Sequence, residues 1–256
     1  CLAISSTLGI AFSANLFSLF VFYEILTLST FPLVAHKASA EAIKGARVYL
    51  GILVSTSIVF FLPAIIWIFS VVGTLDFTSG GIISNDFAPL STMCLLILFA
   101  FGIGKAAIFP IHPWLPSAMV APTPVSALLH AVAVVKAGVF SVLKIGIYIF
   151  GIEHLSNTSS SLWLVWLSAF TILFASMVAI SKDNLKSRLA YSTVSQLSYI
   201  ILGLALATTA GVLGAALHIV MHAFGKITLF MTAGSIYVTT KKTEISDMIG
   251  LGRVMP

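Results

Sequence analysis

Long apolar runs without charge dominate this sequence and limit the folds that it can adopt. Seven such runs, each close to the ~20 residues that a helix needs to cross a bilayer, are separated by short segments that hold most of the charge. Charged residues make up only 8% of the chain, against about 25% in soluble domains. This excludes a soluble enzyme, a disordered chain and a nucleic-acid-binding protein. We therefore predict an all-α polytopic membrane protein.

The seven candidate spans differ in regularity. They lie at about 8–35, 48–73, 90–118, 123–150, 161–180, 189–207 and 212–238. They are too long and too evenly apolar for the strands of a membrane barrel. Pro63 predicts a kink in the second span. Two glycines and three prolines around Lys105 predict that the third span is broken in mid-membrane, as in the helices that line transporter substrate sites.

The charged connecting segments indicate how the chain is oriented. Asp76 and Asp86 follow the second span without a cation, whereas the cation-rich segments are 36–47, 181–188 and the tail after 238. These three fall on one side only if all seven runs cross the membrane, and the positive-inside rule makes that side cytoplasmic. The chain begins at Cys1 within an apolar run and has no signal-peptide pattern. We therefore expect one transmembrane domain over 1–256 that is part of a longer protein, in a bacterial inner membrane.

Several ionisable side chains lie inside the predicted spans. A charge at the bilayer centre costs at least ~2.5–3.5 kcal/mol on insertion scales, so such residues usually mark a function. The candidates are Glu24, Lys105, His130, Lys136, His218, His222 and Lys226. The alternatives are a structural carboxylate, a lysine that reaches the interface, and hydrogen-bonded core histidines. We interpret Lys144, near the outer end of its span, as such an interfacial lysine and leave it out.

The spacing of His218, His222 and Lys226 is the most informative of these patterns. Residues at i, i+4 and i+8 fall on one helix face about one turn apart, which predicts a proton relay. A zinc site is the alternative, but the glutamate of an HExxH motif is missing. His130 and Lys136, six residues apart, fall on different faces and would need a bridging water.

Motifs for a resident cofactor are missing from the sequence. Two distant cysteines, Cys1 and Cys94, are too few for an iron–sulfur cluster or a structural zinc. The sequence also lacks the glycine-rich motifs that bind dinucleotides or ATP. We expect a transporter subunit without cofactor or metal and without an enzymatic reaction of its own.

Four stretches of the chain resemble one family of membrane proteins. They are FYEILTLSTFPLV, GKAAIFPIHPWLPSAMVAPTPVSALLHAVAVVKAGVF, KDNLKSRLAYSTVSQLSYI and LHIVMHAFGKITLF. They are similar to the proton-conducting antiporter-like subunits of complex I, of membrane-bound hydrogenases and of Mrp-type Na⁺/H⁺ antiporters, and most similar to the Mrp D-type subunit. The resemblance covers essentially the whole chain. It implies the central part, about seven transmembrane helices with one broken, of an inverted-repeat antiporter-like fold of about fourteen helices.

The resemblance also implies roles for the buried ionisable residues. Glu24 matches the family's glutamate and Lys105 its lysine on the broken helix, and these two are expected to pair. The relay would continue through His130, Lys136, His218, His222 and Lys226. The implied function is proton movement in a multisubunit Na⁺/H⁺ antiporter, with other membrane subunits, protons, Na⁺ and lipid as partners. The alternatives are a proton-pumping subunit of a complex I-like or hydrogenase assembly and a passive membrane scaffold.

Overall fold

The computed structural model describes residues 1–84, 87–253 and 255, so that Asp86 lies outside the described part. Within it the secondary structure is helical, without a named β-strand. The α-helices are α1 (Leu2–Phe12), α2 (Leu16–Val34), α3 (Ala40–Thr56), α4 (Leu62–Val72), α5 (Pro89–Gly102), α6 (Trp114–Ser117), α7 (Thr123–Ala127), α8 (Val134–Ile145), α9 (Ile152–Thr158), α10 (Leu162–Ser181), α11 (Leu185–Ala205) and α12 (Thr209–Thr240). This confirms the predicted all-α architecture.

All seven predicted spans are helical, although two of them are not long continuous apolar helices. Among the described residues, five helical stretches are long and apolar enough to cross a membrane: Leu16–Val34, Ala40–Val72, Thr123–Phe150, Leu162–Ser181 and Thr209–Thr240. The third predicted span is the short α5 followed by a break. The sixth is α11, 21 residues long, whose first turns hold Lys186 and Arg188.

The first predicted span is wrong at its beginning, because residues 8–35 contain the end of one helix and the whole of another. The chain leaves α1 at Phe12 and begins α2 at Leu16. The Asn15 side chain caps α2 by accepting a hydrogen bond from Ser18 N–H at 2.8 Å. An Asn that caps a helix end is a sequence signal in itself, and hydropathy averaging conceals it.

The predicted break in the third span is confirmed. α5 ends at Gly102, a single 3₁₀ turn runs over Gly104–Ala106, and Ala107 takes a left-handed backbone conformation with φ 55°. Three prolines follow this point, and because each lacks the backbone N–H, only the four-residue α6 forms among them. The break therefore lies among packed helices, where Lys105 and Ala107 are fully buried.

Pro63 is accommodated by a change of helix type. A π turn over Ser57–Phe61 joins α3 to α4, and Pro63 stands in the first turn of α4. Proline has no N–H to donate, and the wider π turn comes directly before the point where that hydrogen bond is missing. Two more π turns, Leu128–Val132 and Gly146–Phe150, flank α8 without any proline of their own. Those two were not predicted, because hydropathy does not distinguish a π turn from an α turn.

The two ends of the helix bundle are fastened by loop contacts. At one end, Leu16 N–H donates to Leu75 O at 2.9 Å. At the other, the segment around Asp183 binds the tail after α12, and we call this the loop–tail contact. Ile245 N–H donates to Asp183 O at 3.0 Å, and the Ser246 side chain donates to the Asp183 carboxylate at 2.6 Å. Two of the three cation-rich segments thus lie together at one end.

The loop–tail contact should depend on pH. Hydrogen bonds from the Ser246 hydroxyl and backbone N–H lower the pKa of Asp183. A lowered carboxyl pKa means that the contact is complete above the ordinary carboxyl range and is lost as the pH falls through the folded-state pKa. Amide hydrogen exchange at Ile245 and Ser246, corrected for the intrinsic rate at each pH, should lose protection on acidification. Asp183→Ala should remove that protection at neutral pH, while the exposed Asp247→Asn should not. Full protection in Asp183→Ala would contradict this account.

Candidate functional site

Helix α8 lies at the centre of the bundle and separates two groups of buried polar residues. Eleven of its twelve residues are buried. Lys136 and Gly138 are two positions apart, which is about 200° around a helix, so they point to opposite sides. Gly138 faces the break in the third span, and Lys136 faces α12. The site therefore has a break side and an α12 side.

On the break side, the Lys105 side chain is fully buried against α2. Its ammonium group donates to Tyr23 O at 2.8 Å and to Thr27 Oγ1 at 2.6 Å. The ammonium also lies 3.0 Å from the centroid of the Tyr23 ring, a cation–π contact. Its backbone N–H donates to the Tyr23 hydroxyl at 3.1 Å. Tyr23 thus fixes both the backbone and the side chain of Lys105.

Glu24 is next to Tyr23 on α2, but it is not joined to Lys105 through its buried oxygen. Within the described part of the chain, Glu24 Oε1 is buried and has no hydrogen-bond partner. The recorded bonds of the Lys105 ammonium go to neutral oxygens instead. The expected direct pair is therefore open in this structure, with the carboxylate one helical turn from Thr27.

Two neighbours hold the break in place. The Trp114 indole N–H donates to Gly104 O at 2.9 Å, and the same carbonyl accepts from Ala107 N–H at 3.0 Å. On the other side, Gly138 of α8 lies directly against the peptide after Lys105. A Cβ on Gly138 would come within 2.4 Å of the Lys105 carbonyl carbon and 2.5 Å of Ala106 N. Only glycine allows α8 to approach this closely.

On the α12 side, Lys136 forms a hydrogen bond with His222. The bond joins the lysine ammonium to His222 Nδ1 and links α8 to α12 inside the bundle. The His222 ring is stacked with that of His218, with centroids 5.9 Å apart and planes 16° apart. In the described residues, the remaining ring nitrogen of His222 is buried without a partner. The structure thus brings three of the predicted residues together.

Lys226 shares the α12 face, but its ammonium group turns to α11. It donates to Leu189 O at 3.1 Å and to the Ser192 hydroxyl. The three-residue file on α12 therefore divides, because His222 contacts α8 while Lys226 contacts α11. The hydroxyl-rich face of α11 contributes Ser192 to the site.

His130 stands apart from Lys136, as its position six residues away predicts. Its ring is fully buried and lies 5.3 Å from the Phe230 ring, centroid to centroid. Neither ring nitrogen has a hydrogen-bond partner among the described residues. Leaving both nitrogens unsatisfied in an apolar setting is costly, which sets His130 apart from an ordinary hydrogen-bonded core histidine.

The interpretation of Lys144 as an interfacial lysine is wrong. The residue is only 8% exposed, and its ammonium group donates to Ser13 O at 2.8 Å and to Ala11 O at 2.9 Å. It therefore ends inside the protein, at the end of α1. Its position near the outer end of its span predicted an interfacial lysine, and nothing in its local sequence shows that the end of α1 packs against it.

Sequence reasoning found the ionisable residues and missed their partners. Tyr23 contacts Lys105 through its carbonyl, hydroxyl and ring, and Gly138 acts through the lack of a side chain. Neither contact can be read from local composition. The nearest signal was Thr27, a hydroxyl one turn after Tyr23 on the face that Lys105 contacts.

The geometry of the site is typical of one class of membrane protein. Lysines and histidines are buried on facing helices beside a broken helix, and no cluster of three or more His, Cys, Asp or Glu that could hold a metal occurs in the described residues. Such a site suits proton movement by side chains, in a polytopic helical membrane protein.

The comparisons with known proteins identify the family. Residues 13–256 match the family described as "NADH:quinone oxidoreductase/Mrp antiporter, TM". The chain belongs to this family and is an integral membrane protein. This confirms the family resemblance; the closer similarity to the Mrp D-type subunit stays a prediction.

Curated relatives come from both branches of the family. A probable K⁺/H⁺ antiporter subunit of Rhizobium meliloti (strain 1021), of the A/B type, is 37% identical over 257 residues, which cover 98% of this chain and 25% of the relative. The chloroplastic NAD(P)H-quinone oxidoreductase subunit 5 of Flaveria ramosissima is 33% identical over 277 residues, covering 98% and 35%. The chain thus spans a quarter to about a third of these relatives.

Solved structures agree with this result. The chain matches a chain of the Mrp complex from Dietzia sp. DQ12-45-1b with TM-score 0.87 and 31% identity, covering 100% of this chain and 28% of the other. It matches a chain of an archaeal membrane-bound sulfane sulfur reductase with TM-score 0.88 and 32% identity, covering 100% and 52%. The fold is therefore shared by antiporter and respiratory complexes.

Proposed function

We propose that this protein moves protons through the membrane as a subunit of a multisubunit cation/H⁺ antiporter. The observation that carries the proposal is the buried hydrogen bond between Lys136 and His222, with His218 stacked on the far side of His222. A lysine and a histidine that share a hydrogen bond can pass a proton between them, because each changes its charge by one proton. A passive scaffold would gain nothing from two titratable groups in buried contact.

Lys105 supplies the second station of the proposed pathway. Its ammonium is held by a carbonyl, a hydroxyl and an aromatic ring, which stabilise the charge without neutralising it. Glu24, one residue from Tyr23, can pair with this lysine in one state and leave it in another, and the changing pair would let Lys105 take up and release a proton. Water must connect Lys105 to Lys136, since α8 lies between them.

The rest of the pathway and the setting complete the proposal. His130 and Lys226 are the further members of the pathway. The matched relatives belong to multisubunit complexes, so the partners are other membrane subunits. The exchanged cation would be Na⁺ or K⁺. We place the protein as a single transmembrane domain in a bacterial inner membrane, with 36–47, 181–188 and the tail in the cytoplasm.

The second candidate is proton pumping in a complex I-like or membrane-bound hydrogenase assembly. Its support is the 33% identity to a quinone oxidoreductase subunit over 98% of this chain. In that case the same residues would carry protons, and quinone chemistry elsewhere in the complex would drive them.

Transport in everted vesicles separates these candidates. With the full-length protein and its partner subunits present, adding Na⁺ or K⁺ should dissipate an imposed ΔpH if the protein is an antiporter subunit. Pumping that needs a quinone and ignores the cation would move the assignment to the respiratory branch. If neither the cation nor a quinone changes the ΔpH across the vesicle membrane, the result favours the passive scaffold.

The contribution of the Lys136–His222 pair can be measured in the same vesicles. His222→Ala should lower the transport rate about a hundredfold, the typical contribution of a positioned proton-transfer group. Met221→Ala changes the neighbouring residue, which is 69% exposed, and should leave the rate unchanged. Equal rates in both variants would remove His222 from the pathway.

A further inference from the structure

The end of α1 presents a group of oxygen atoms that the proton pathway does not use. The last carbonyls of an α-helix have no partner within the helix, and they carry the negative end of its dipole. Here Ile10 O, Ala11 O, Ser13 O and the Ser13 hydroxyl converge on one point. Such oxygens normally face water or a neighbouring donor; at this helix end Phe12 is exposed, whereas Ser13 is buried.

The ammonium group of Lys144 occupies that point. Its nitrogen lies 2.8 Å from Ser13 O, 2.9 Å from Ala11 O, 3.2 Å from the Ser13 hydroxyl oxygen and 3.4 Å from Ile10 O. The ring of Phe77 lies 4.7 Å from the ammonium, centroid to nitrogen, and adds a cation–π contact. All recorded hydrogen-bond partners of Lys144 in the described residues are thus neutral oxygens. The nearby Asp76 carboxylate instead accepts a hydrogen bond from Thr74 Oγ1 at 3.3 Å.

We propose that these oxygens form a monovalent-cation site that Lys144 fills with its own ammonium group. Neutral carbonyl and hydroxyl oxygens are the groups that replace the water shell of K⁺ in selectivity filters. Divalent cations prefer sites with carboxylates, and this one has none among its recorded oxygens. The ligands of the right class are therefore K⁺ and small primary ammonium ions, which match the size and charge of the group already there.

The ammonium group of Lys144 also connects α8 to the chain that leads into α2. Lys144 belongs to α8, whereas the oxygens belong to the last turn of α1 and to Ser13 in the link between α1 and α2. The same link is bonded to the segment around Phe77, whose N–H donates to Ala14 O at 3.0 Å. Lys144 thus joins α8 to the beginning of α2, the helix that holds Lys105 through Tyr23. It is a positioning residue, distinct from the residues of the pathway.

Thermal unfolding of the full-length protein, purified with its partner subunits, tests the site without measuring transport. Lys144→Ala opens the space and should lower Tm by about 5 °C in choline chloride, an effect of the size expected for a lost buried contact. Potassium chloride or methylammonium chloride should restore most of this loss. The wild type should gain less from potassium or methylammonium than Lys144→Ala does, because its own ammonium group already fills the site, and its gain is subtracted as the effect of an exchanged cation. Lys144→Met is the matched control: it fills the space without a charge and should stay low in every salt.

Three outcomes would overturn the proposal. One is a Lys144→Ala protein whose Tm is the same in choline and in potassium. Another is equal recovery by Lys144→Met. If Lys144→Ala does not assemble, its assembly in cells grown with methylamine, which crosses membranes in its neutral form, replaces the Tm measurement. Assembly should recover with methylamine, and its continued absence contradicts a cation site.

Discussion

Replacing Lys105 by alanine should abolish cation-driven dissipation of ΔpH while the complex still assembles. The substitution removes the only ammonium group held at the break by Tyr23 O and Thr27 Oγ1 in the described structure. Assembly should persist, because a buried charge contributes little net stability once its desolvation is counted. The lost packing of the lysine methylenes costs about 2–5 kcal/mol, the range for truncating a long buried side chain to alanine. In Lys105→Ala, vesicle transport should therefore be lost while the amount of assembled complex stays close to that of the wild type.

A matched lysine shows whether the effect belongs to the break. Lys182→Ala removes the same charge from an exposed position in a connecting segment and should transport like the wild type. Glu24→Gln keeps the shape of the carboxyl group and removes its charge, so it should also lower transport strongly. Wild-type transport in Lys105→Ala would end the proton-pathway proposal, and loss of assembly in that variant would make Lys105 a structural residue instead.

Gly138→Ala should lower both stability and transport, although it adds a single methyl group to a helix. Alanine normally favours a helix by about 1 kcal/mol over glycine. Here the new Cβ would meet backbone atoms at 2.4 and 2.5 Å, which cannot rotate away as a side chain would. Overpacking of this kind costs about 1–3 kcal/mol and should displace the peptide that carries Lys105. The net change in the free energy of unfolding is therefore destabilising.

The control for this prediction lies on α12. Gly225 has no atom within 4 Å of its ideal Cβ position, so Gly225→Ala should leave Tm unchanged or raise it. Thermal unfolding and vesicle transport of the two variants should therefore move in opposite directions or differ clearly in size. A Gly138→Ala protein as stable and active as the wild type would mean that α8 and the break separate easily.

The sequence predicted the helices and the ionisable residues because both depend on local composition. Lys105 could be placed at a break from the surrounding glycines and prolines alone. His218 and His222 could be placed on one face from their spacing, and their rings are indeed stacked. These features need only the period of a helix and the cost of a charge in lipid.

The partners of those residues depend on packing between distant segments, which composition does not encode. Lys226 and His222 share a helix face, yet they contact different neighbouring helices. Lys144 was assigned to the interface from its position near the outer end of its own span, and only the packing of the chain after α1 against α8 shows that it is buried. The capping residue Asn15 was the signal that would have separated α1 from α2.

The position of α8 has a mechanical consequence for the two halves of the site. One face bears Lys136 against His222, and the opposite face lies against the Lys105 peptide with no side chain between them. A sideways movement of α8 that lengthens the Lys136–His222 contact therefore pushes Gly138 closer to the Lys105 peptide. The π turns at both of its ends break the regular α-helical ladder where such a movement would be absorbed. We therefore expect the contacts on the two faces to be coupled through displacement of α8, so that double mutants across α8 are not additive.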